Sequence, residues 1–395
     1  MTTYRDVFAE PRFRGLFIAR TVWMVAGTLR ILTMSVVVYQ QTGSPFLGAL
    51  AFGAGFLPQA LSGLLLGAVA DRVSARRLIL AEYLAEAAIT AALALLHPPV
   101  ALALALIAGI GCLAPLGNGA TGRLVADALT GDAYVLGRAA ISMSSSGAQL
   151  AGLAAGGAAV AALGPTRALL LACAGNLLAA LLLTGDAPPS PARGTVLRDS
   201  WVGARRLLGD RTVRRLLAVQ WLPPAFSTGG ESLLIPYASG RGWSSGVAGL
   251  LLAAAPLGML AGDLMVSRLL RPATRERIAP LLIAVLGAPL TLLAARPAQP
   301  VAIALLAVSG FGLSYLLGLQ RPFLDAVPEE ARGQAFTLLS TGMMTLQGLG
   351  PLVLGLAAEA LGTGPVIAAA GAAIVLVALA FGPAHIGSRH SATGS

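Results

Sequence analysis

The sequence contains no lysine, only two cysteines and three histidines, and few charged residues of any kind. Charged residues make up 11% of its 395 residues, hydrophobic residues make up 56%, and the mean hydropathy is +0.79. A soluble domain is about a quarter charged, because its surface must be solvated. So low a charge content excludes a soluble globular protein.

The scarce cysteines and histidines exclude further kinds of site. Cys112 and Cys173 lie inside apolar runs, so they indicate no disulfide framework. His97, His385 and His390 lie in predicted loops or the C-terminal tail, without metal-ligand spacing. A glycine-rich phosphate-binding loop followed by lysine is also absent from the sequence. The sequence therefore predicts no ATP-driven pump and no metal or other cofactor.

Apolar segments long enough to cross a bilayer recur along the whole chain. A membrane-spanning helix needs about 20 apolar residues. The sequence predicts an all-α integral membrane protein with twelve transmembrane helices. The predicted spans are residues 14–40, 46–70, 78–96, 99–122, 136–162, 166–184, 214–238, 246–269, 278–295, 299–320, 334–358 and 365–383.

Arginine supplies all 27 basic residues and is distributed unevenly between the predicted loops. With a cytoplasmic N-terminus, 22 arginines fall in cytoplasmic segments, whereas only Arg167, Arg241 and Arg296 fall in outer loops. Because arginine collects on the cytoplasmic side of spans, both termini are predicted to be cytoplasmic, in the cell inner (plasma) membrane. The lipid bilayer also explains the net charge of +10, so no nucleic acid partner is predicted. Residues 1–14 lack the features of a removable signal peptide.

The two halves of the chain repeat each other at an offset of 198 residues. Ser142, Gln149, Gly152, Gly157 and Tyr39 recur as Ser340, Gln347, Gly350, Gly355 and Tyr237. An offset of about half the length indicates two copies of one helical unit. The predicted domains are an N-terminal six-helix bundle (1–184), a cytoplasmic linker (185–213) and a C-terminal six-helix bundle (214–395). The linker is predicted to contain an amphipathic helix capped at Asp199-Ser200, with a regulatory role as the alternative.

A charged loop follows the second predicted span. Residues 67–77 read Gly-Ala-Val-Ala-Asp-Arg-Val-Ser-Ala-Arg-Arg, which resembles the pattern G-x-x-x-D-R-x-G-x-R-R of the major facilitator superfamily (MFS), with Ser74 at the second glycine. The alternative is an arginine-rich inner loop of the kind that any membrane protein can carry. The resemblance implies two pseudo-symmetric six-helix bundles that work by alternating access.

The same resemblance implies a conformational latch. Its residues are Gly67, Asp71, Arg72, Arg76, Arg77 and Asp127. In this arrangement Asp71 caps the helix that begins near Gly333, where the helix dipole favours an anion, and Asp127 is a candidate partner of the arginines.

Two further segments resemble exporters of this superfamily. Residues 152–157 are similar to the antiporter motif G-P-x-x-G-G, with Leu153 in place of the proline. Residues 39–44, Tyr-Gln-Gln-Thr-Gly-Ser, resemble the end of the first helix in macrolide and siderophore exporters. This resemblance implies an exporter of the drug, macrolide and siderophore branch.

Ionisable residues inside the predicted spans are functional candidates, because each costs about 2.5–3.5 kcal/mol at the bilayer centre. They are Arg20, Arg30, Glu82, Glu86, Glu231, Asp263 and Glu359. Four of them lie near a span end, where they reach the headgroups, and structural pairing is predicted for them: Arg20, Glu82, Asp263 and Glu359.

Arg30 and Glu231 lie deeper, about 22 Å along their helices from the cytoplasmic side. In the superfamily the first and seventh helices line the central cavity. We therefore predict that Glu231 carries the proton, with Arg30 as its partner or as a substrate anchor. The alternative is a fixed Arg30–Glu231 pair that only locks the bundles together. Glu86 is the rival carboxylate, and it ranks second because the third helix is usually peripheral in this fold.

The predicted cavity lining is apolar with scattered polar groups. The candidate substrate-cavity residues are Trp23, Met34, Asn118, Gln149, Trp221, Phe226, Tyr315 and Gln347. Such a surface suits an amphipathic molecule better than a sugar, which needs many hydrogen-bond partners. For Gln149 and Gln347, hydrogen bonding between helices is the alternative role.

These patterns together predict a secondary transporter that acts as a monomer. It exports a hydrophobic or amphipathic small molecule in exchange for protons, with the proton gradient as its energy source. One alternative is a facilitator or importer of a small metabolite in the same fold. Another is a non-transporting membrane protein, such as a lipid scramblase or a membrane enzyme. An enzyme is not predicted, because no histidine lies near the serines of span five to activate a nucleophile.

Overall fold

The computed structural model describes residues 4–59, 62, 73–183, 205–328 and 331–387, and within these ranges it contains helices and turns but no strand. In the first half the helices are α1 (Tyr4–Ala9), α2 (Pro11–Thr42), α3 (Pro45–Gly53), α4 (Ala75–Leu96), α5 (Val100–Ala128), α6 (Gly131–Leu163) and α7 (Pro165–Leu182). In the second half they are α8 (Arg211–Ser232), α9 (Leu234–Ser239), α10 (Ser245–Leu269), α11 (Pro272–Thr291), α12 (Gln299–Gly312), α13 (Tyr315–Ala326), α14 (Arg332–Leu361) and α15 (Thr363–Gly387).

The helices confirm the predicted all-α membrane fold. Nine helical stretches in the described ranges are long and apolar enough to cross a membrane, and 147–163 forms a shorter apolar stretch. Two of the predicted spans are built from consecutive helices, because α8 gives way to α9 at Leu233 and α12 gives way to α13 at Leu313 and Ser314.

The turns between helices repeat in the two halves. Gly164 separates α6 from α7 with a φ of 80°, and Gly362 separates α14 from α15 with a φ of 82°. The two glycines are themselves 198 positions apart. Glycine adopts this left-handed backbone without the steric cost that a Cβ brings. The repeat is therefore visible in the turn geometry as well as in the residue types.

The chain forms two compact units. The first unit comprises the described residues of Met1–Thr42, Ala54–Thr195 and Ser244–Gly249. The second unit comprises the described residues of Gly43–Gly53, Val196–Trp243 and Leu250–Ser395. In the first unit α2 packs against α6 and α7, and α4 packs against α5 and α7. In the second unit α8 packs against α14 and α15, and α11 packs against α12 and α15. The two units thus share one helix-packing pattern.

The glycines of the 198-residue repeat lie where helices approach closely within a unit. A Cβ on Gly152 would overlap Thr28 and the Val25 carbonyl of α2. A Cβ on Gly350 would overlap the Ala225 carbonyl of α8. Small residues permit such approaches between helices in membranes. These repeated glycines are therefore packing residues.

The second pair of repeated glycines makes equivalent contacts with the beginnings of two other helices. In the first unit Gly157 lies against Gly249, near the start of α10. In the second unit Gly355 lies against Phe46 and Ala49, near the start of α3. This is why residues 244–249 belong to the first unit and residues 43–53 to the second.

The segment that joins the two halves is described only in its last part. The predicted cap at Asp199-Ser200 lies outside the described residues. Residues 205–209 are helical. The Asp210 carboxylate accepts hydrogen bonds from the backbone N–H groups of Thr212, at 2.8 Å, and Val213, at 2.9 Å. Asp210 therefore caps α8, which begins at Arg211.

Candidate functional site

A group of charged, polar and aromatic side chains lies inside the first unit, and we call it the first-unit polar cluster. It consists of Arg20, Trp23 and Arg30 on α2, Glu82, Tyr83 and Glu86 on α4, and Asn118 and Thr121 on α5. Residues three, four or seven positions apart share a face of a helix, so both α2 and α4 present their members on one side. Three helices of the same unit thereby converge on one polar region.

An ion pair joins α2 to α4 in this cluster. Arg30 Nη2 lies 3.6 Å from Glu86 Oε2, and the two side chains are 5% and 2% exposed. Within its own unit Arg30 therefore has Glu86 as its ion-pair partner, and the pairing of Arg30 with Glu231 stays a prediction. α4 turns the Glu86 carboxylate into the interior of the first unit, and the ranking of Glu86 below Glu231 as proton carrier stays a prediction.

Arg20 is held by neutral side chains. Its Nη2 donates to Asn118 Oδ1 at 2.5 Å and its Nη1 donates to Thr121 Oγ1 at 3.5 Å. The guanidinium also lies 4.8 Å from the centroid of the Trp23 ring, a cation–π distance. The Trp23 ring in turn stacks on Tyr83, with ring centroids 5.7 Å apart. Arg20 has the structural pairing predicted for it, with polar and aromatic partners.

Glu82 lies in the interior of the first unit. Its side chain is buried, and neither carboxylate oxygen accepts a hydrogen bond from the described residues. A Cβ on Gly117 of α5 would overlap this carboxylate, which therefore packs against the α5 backbone. The expectation that Glu82 reaches the headgroups is wrong, because its side chain lies on the same face of α4 as Glu86. The four-residue spacing of the two glutamates was the sequence signal for this cluster.

The second unit holds the other predicted proton carrier, Glu231, near the end of α8. Its side chain is half-buried and accepts a hydrogen bond from Ser227 Oγ, one helical turn earlier, at 3.2 Å. Within its own unit, the described residues include no ion-pair partner for Glu231. The carboxylate thus has a neutral hydrogen-bond donor and a partly accessible position.

Three of the predicted cavity residues are buried packing residues. They are Trp23, Met34 and Tyr315. The Tyr315 hydroxyl donates to the Val219 carbonyl at 2.9 Å and so ties α13 to α8. Because a buried hydroxyl needs a hydrogen-bond partner, this bond accounts for the tyrosine without a ligand. Trp23, Met34 and Tyr315 are buried in the described structure, and their place in a substrate cavity stays a prediction.

The other five cavity candidates have accessible surface. Asn118 and Gln149 are exposed, whereas Trp221, Phe226 and Gln347 are half-buried. Trp221 Nε1 donates to the Leu339 carbonyl at 2.9 Å, and its ring packs against Gly342 of α14. These five stay candidates for contact with a substrate.

The latch motif is described only in part. Gly67, Asp71 and Arg72 lie outside the described residues, and so does the predicted cap formed by Asp71. Arg76 and Arg77 are exposed in the first turn of α4.

Two residues of α5 concern the loop at residues 67–77: Asp127 as a predicted partner of its arginines, and Arg123 through an observed contact. Asp127 is exposed near the end of the helix and has no ion pair with another described residue. Arg123 Nη2 donates to the Val73 carbonyl at 3.4 Å, and this contact with the end of the loop was not predicted.

Glu359 of α14 has the structural pairing that the sequence predicted. Its Oε1 accepts a hydrogen bond from the backbone N–H of Phe46 at 3.1 Å and another from the Ser44 hydroxyl. These donors lie at the N-terminal end of α3, Ser44 directly before it and Phe46 in its first turn, where a carboxylate is favourable. As for metals, no three His, Cys, Asp or Glu side chains in the described ranges are placed to hold an ion.

Comparison with known proteins gives one family and several similar structures. The family described as Major Facilitator Superfamily matches residues 15–324. A POT family transporter in complex with a thioalcohol-conjugated peptide has 12% identity, covers 93% of this chain and 94% of its own, and has a TM-score of 0.72. A POT family transporter in complex with 5-aminolevulinic acid has 12% identity, the same coverages and a TM-score of 0.74.

A third solved structure is a bacterial homologue of the human lysosomal transporter Spinster, in an inward-facing and unoccupied conformation. It has 17% identity, covers 94% of this chain and 95% of its own, and has a TM-score of 0.70. At such identities these likenesses show the fold. None of the curated protein sequences compared with the chain matches it.

Proposed function

The chain belongs to the Major Facilitator Superfamily, and we propose that this multi-pass membrane transporter is a proton-coupled exporter of hydrophobic or amphipathic small molecules. Membership supplies the fold and the general activity. Direction, coupling ion and substrate class are the proposed part, and the residues inside the two units support them.

The observation that carries proton coupling is the environment of Glu231. This carboxylate lies in the predicted span 214–238, is half-buried, and is bonded to the neutral Ser227 hydroxyl. It can gain or lose a proton without breaking an ion pair within its unit. Glu86 differs, because its charge is matched by Arg30 at 3.6 Å. Glu231 is therefore the better proton carrier of the two, and Arg30 serves to compensate Glu86.

The accessible candidate residues support the substrate class. Trp221 and Phe226 offer aromatic surface, while Asn118, Gln149 and Gln347 offer neutral amides. A few amides among apolar groups suit a molecule with a large apolar body and few polar groups. A sugar would leave many hydroxyl groups without partners, at a cost for each.

The arginine distribution supports the location and orientation. Twenty-two arginines on one side against three on the other favour the cell inner membrane, with both termini in the cytoplasm. In this orientation export moves the substrate away from the arginine-rich side, and protons enter in exchange. Each chain contains both units, so we propose that a monomer is sufficient.

Proton movement driven by compounds tests this function. The full-length protein is reconstituted in liposomes containing a pH-sensitive dye, and hydrophobic cations such as ethidium and Hoechst 33342 are added across an imposed pH gradient. Liposomes with wild-type protein should release protons from their interior and accumulate the compound inside against its concentration gradient. Glu231→Gln should lose both, whereas Asp325→Asn, which changes a surface carboxylate that is 69% exposed, should lose neither. Downhill movement of compound without proton flow would indicate a facilitator, and uphill transport by Glu231→Gln would exclude Glu231 as the carrier.

A further inference from the structure

The charges of the first-unit polar cluster are unevenly matched. Two arginines and two glutamates lie together, but Arg30 pairs with Glu86 and Arg20 bonds to the neutral Asn118 and Thr121. Glu82 is left buried at 2% exposure, with no hydrogen bond to either oxygen from the described residues. A buried carboxylate without a donor is costly, and a proton removes that charge.

Among the described residues, the surroundings of Glu82 hold one attractive charge. On α2 this is Arg20, and on its own helix α4 the nearby titratable groups are Glu86, which repels it, and Tyr83. From α5 the Gly117 backbone lies against the carboxylate. From α7, Cys173 faces α4, but its thiol is bonded to the Ala87 carbonyl at 3.3 Å. Among the described residues, Arg20 is therefore the positive charge that can respond to a change of charge at Glu82.

We propose that Glu82 is a second proton-binding site and that Arg20 exchanges partners with its charge state. When Glu82 holds the proton, Arg20 bonds to Asn118 and Thr121, as observed. When Glu82 gives the proton to water, Arg20 leaves Asn118 and pairs with the new carboxylate. No covalent bond other than the O–H bond of Glu82 forms or breaks, and the proton comes from water and returns to it.

Two features of Arg20 suit this exchange. Its Nε is buried and has no hydrogen-bond partner among the described residues, so one donor is available for a new acceptor. Its present partner Asn118 is exposed, so Arg20 connects the accessible surface of α5 to the buried carboxylate. Protonation of Glu82 thereby makes or breaks the link between α2 and α5. This site rests on the proposed proton coupling and adds a second carboxylate to it.

Infrared difference spectroscopy tests proton binding without a substrate. Full-length protein in lipid nanodiscs is taken through a pH change, and the C=O stretch of protonated carboxyl groups is recorded in H₂O and D₂O. Glu82→Gln should lose one carboxyl band, and Asp325→Asn should lose none. A full set of bands in Glu82→Gln would overturn the site. If wild-type protein in liposomes shows no antiport but its Glu82 band is present, the proposed function is wrong and the Glu82 site stands.

A second measurement uses Trp23, whose ring lies between Arg20 and Tyr83. In a variant that keeps only this tryptophan, fluorescence should change with pH in one step, and Glu82→Gln should abolish that step. Gly117→Ala should move its midpoint by about one pH unit, a tenfold change in proton affinity, because the new methyl group displaces the carboxylate. Gly119→Ala, whose methyl group would meet no atom within 4 Å, should leave it unchanged. An identical midpoint in wild type and Gly117→Ala, or a step that persists in Glu82→Gln, would refute the exchange.

Discussion

Arg30 on α2 and Glu86 on α4 form an ion pair in the interior of the first unit, with 3.6 Å between Nη2 and Oε2. The pair gives each charge a partner where water is excluded. It also separates the roles of the two deep carboxylates, because Glu86 has a charged partner, whereas the described residues of the second unit give Glu231 a neutral donor and no ion pair. Functional protonation is therefore expected at Glu231 and, by our inference, at Glu82.

Breaking the Arg30–Glu86 pair on one side should destabilise the protein. Arg30→Met should lower its unfolding free energy by about 3–5 kcal/mol, because the Glu86 charge then lies buried without a partner. The double variant Arg30→Met with Glu86→Leu should recover most of that loss. Thermal unfolding of the purified protein in detergent measures both effects.

The exposed pair Arg321–Asp325 provides the matched control for this series. Its atoms also lie 3.6 Å apart, but its side chains are 71% and 69% exposed. Arg321→Met should therefore change stability by less than about 1 kcal/mol. Equal effects at the two pairs would show that burial does not determine the strength of the Arg30–Glu86 interaction.

The close helix approach at Gly350 predicts a steric effect. In Gly350→Ala the methyl group would overlap the Ala225 carbonyl, so α14 must move away from α8. We expect a loss of about 1–3 kcal/mol, as for other overpacked sites. Gly147→Ala on α6 meets no atom within 4 Å and should be neutral or slightly stabilising, because alanine is the better helix former by about 1 kcal/mol. Thermal unfolding compares the two, and similar melting temperatures would contradict the packing role.

Tyr315 distinguishes a packing residue from a substrate contact. Tyr315→Phe removes the hydroxyl that donates to the Val219 carbonyl, and stability should fall by about 0.5–1.5 kcal/mol. The apparent affinity for transported dyes should stay within twofold of wild type, since this side chain is fully buried. Thermal unfolding and dye transport on the same preparation check both parts. A large loss of affinity for the dyes with unchanged stability would show that Tyr315 contacts the substrate.

Glu231→Gln should keep the exchange of substrate across the membrane but lose net, proton-driven transport. The glutamine keeps the hydrogen bond to Ser227 but cannot carry a proton, so proton-driven accumulation should be lost. Exchange of labelled for unlabelled dye across the membrane needs no net proton movement and should continue. The two rates are measured at several pH values, and at each of them the variant should exchange dye without accumulating it. Loss of exchange as well would indicate that Glu231 is needed for substrate binding.

The repeat shows how far sequence alone reached for the fold. Hydropathy predicted the helices, because each must satisfy its backbone hydrogen bonds internally and present an apolar surface to lipid. The 198-residue offset predicted two related units, and Gly152 and Gly350 do occupy equivalent close contacts with α2 and α8. These features depend on local composition and spacing, which a sequence records directly.

The candidate site was predicted less well from the sequence than the fold was. Counting positions from a span end placed Glu82 near the headgroups, and the resemblance to the superfamily placed Glu86 on a peripheral helix. That count gives the depth of a side chain but not the direction in which its helix turns it. The four-residue spacing of Glu82 and Glu86 placed them on one face without showing which neighbour that face meets.

What this sequence determined by itself is a chain of apolar helices in two related halves, with arginine concentrated in alternate predicted loops and a superfamily motif after the second predicted span. The tertiary structure decided which charges meet. Arg30 pairs with Glu86, Arg20 bonds to Asn118, and Glu82 has no donor among the described residues, because side-chain partners depend on helix rotation and on contacts between residues far apart in the chain. Neither of these is encoded in hydropathy or spacing.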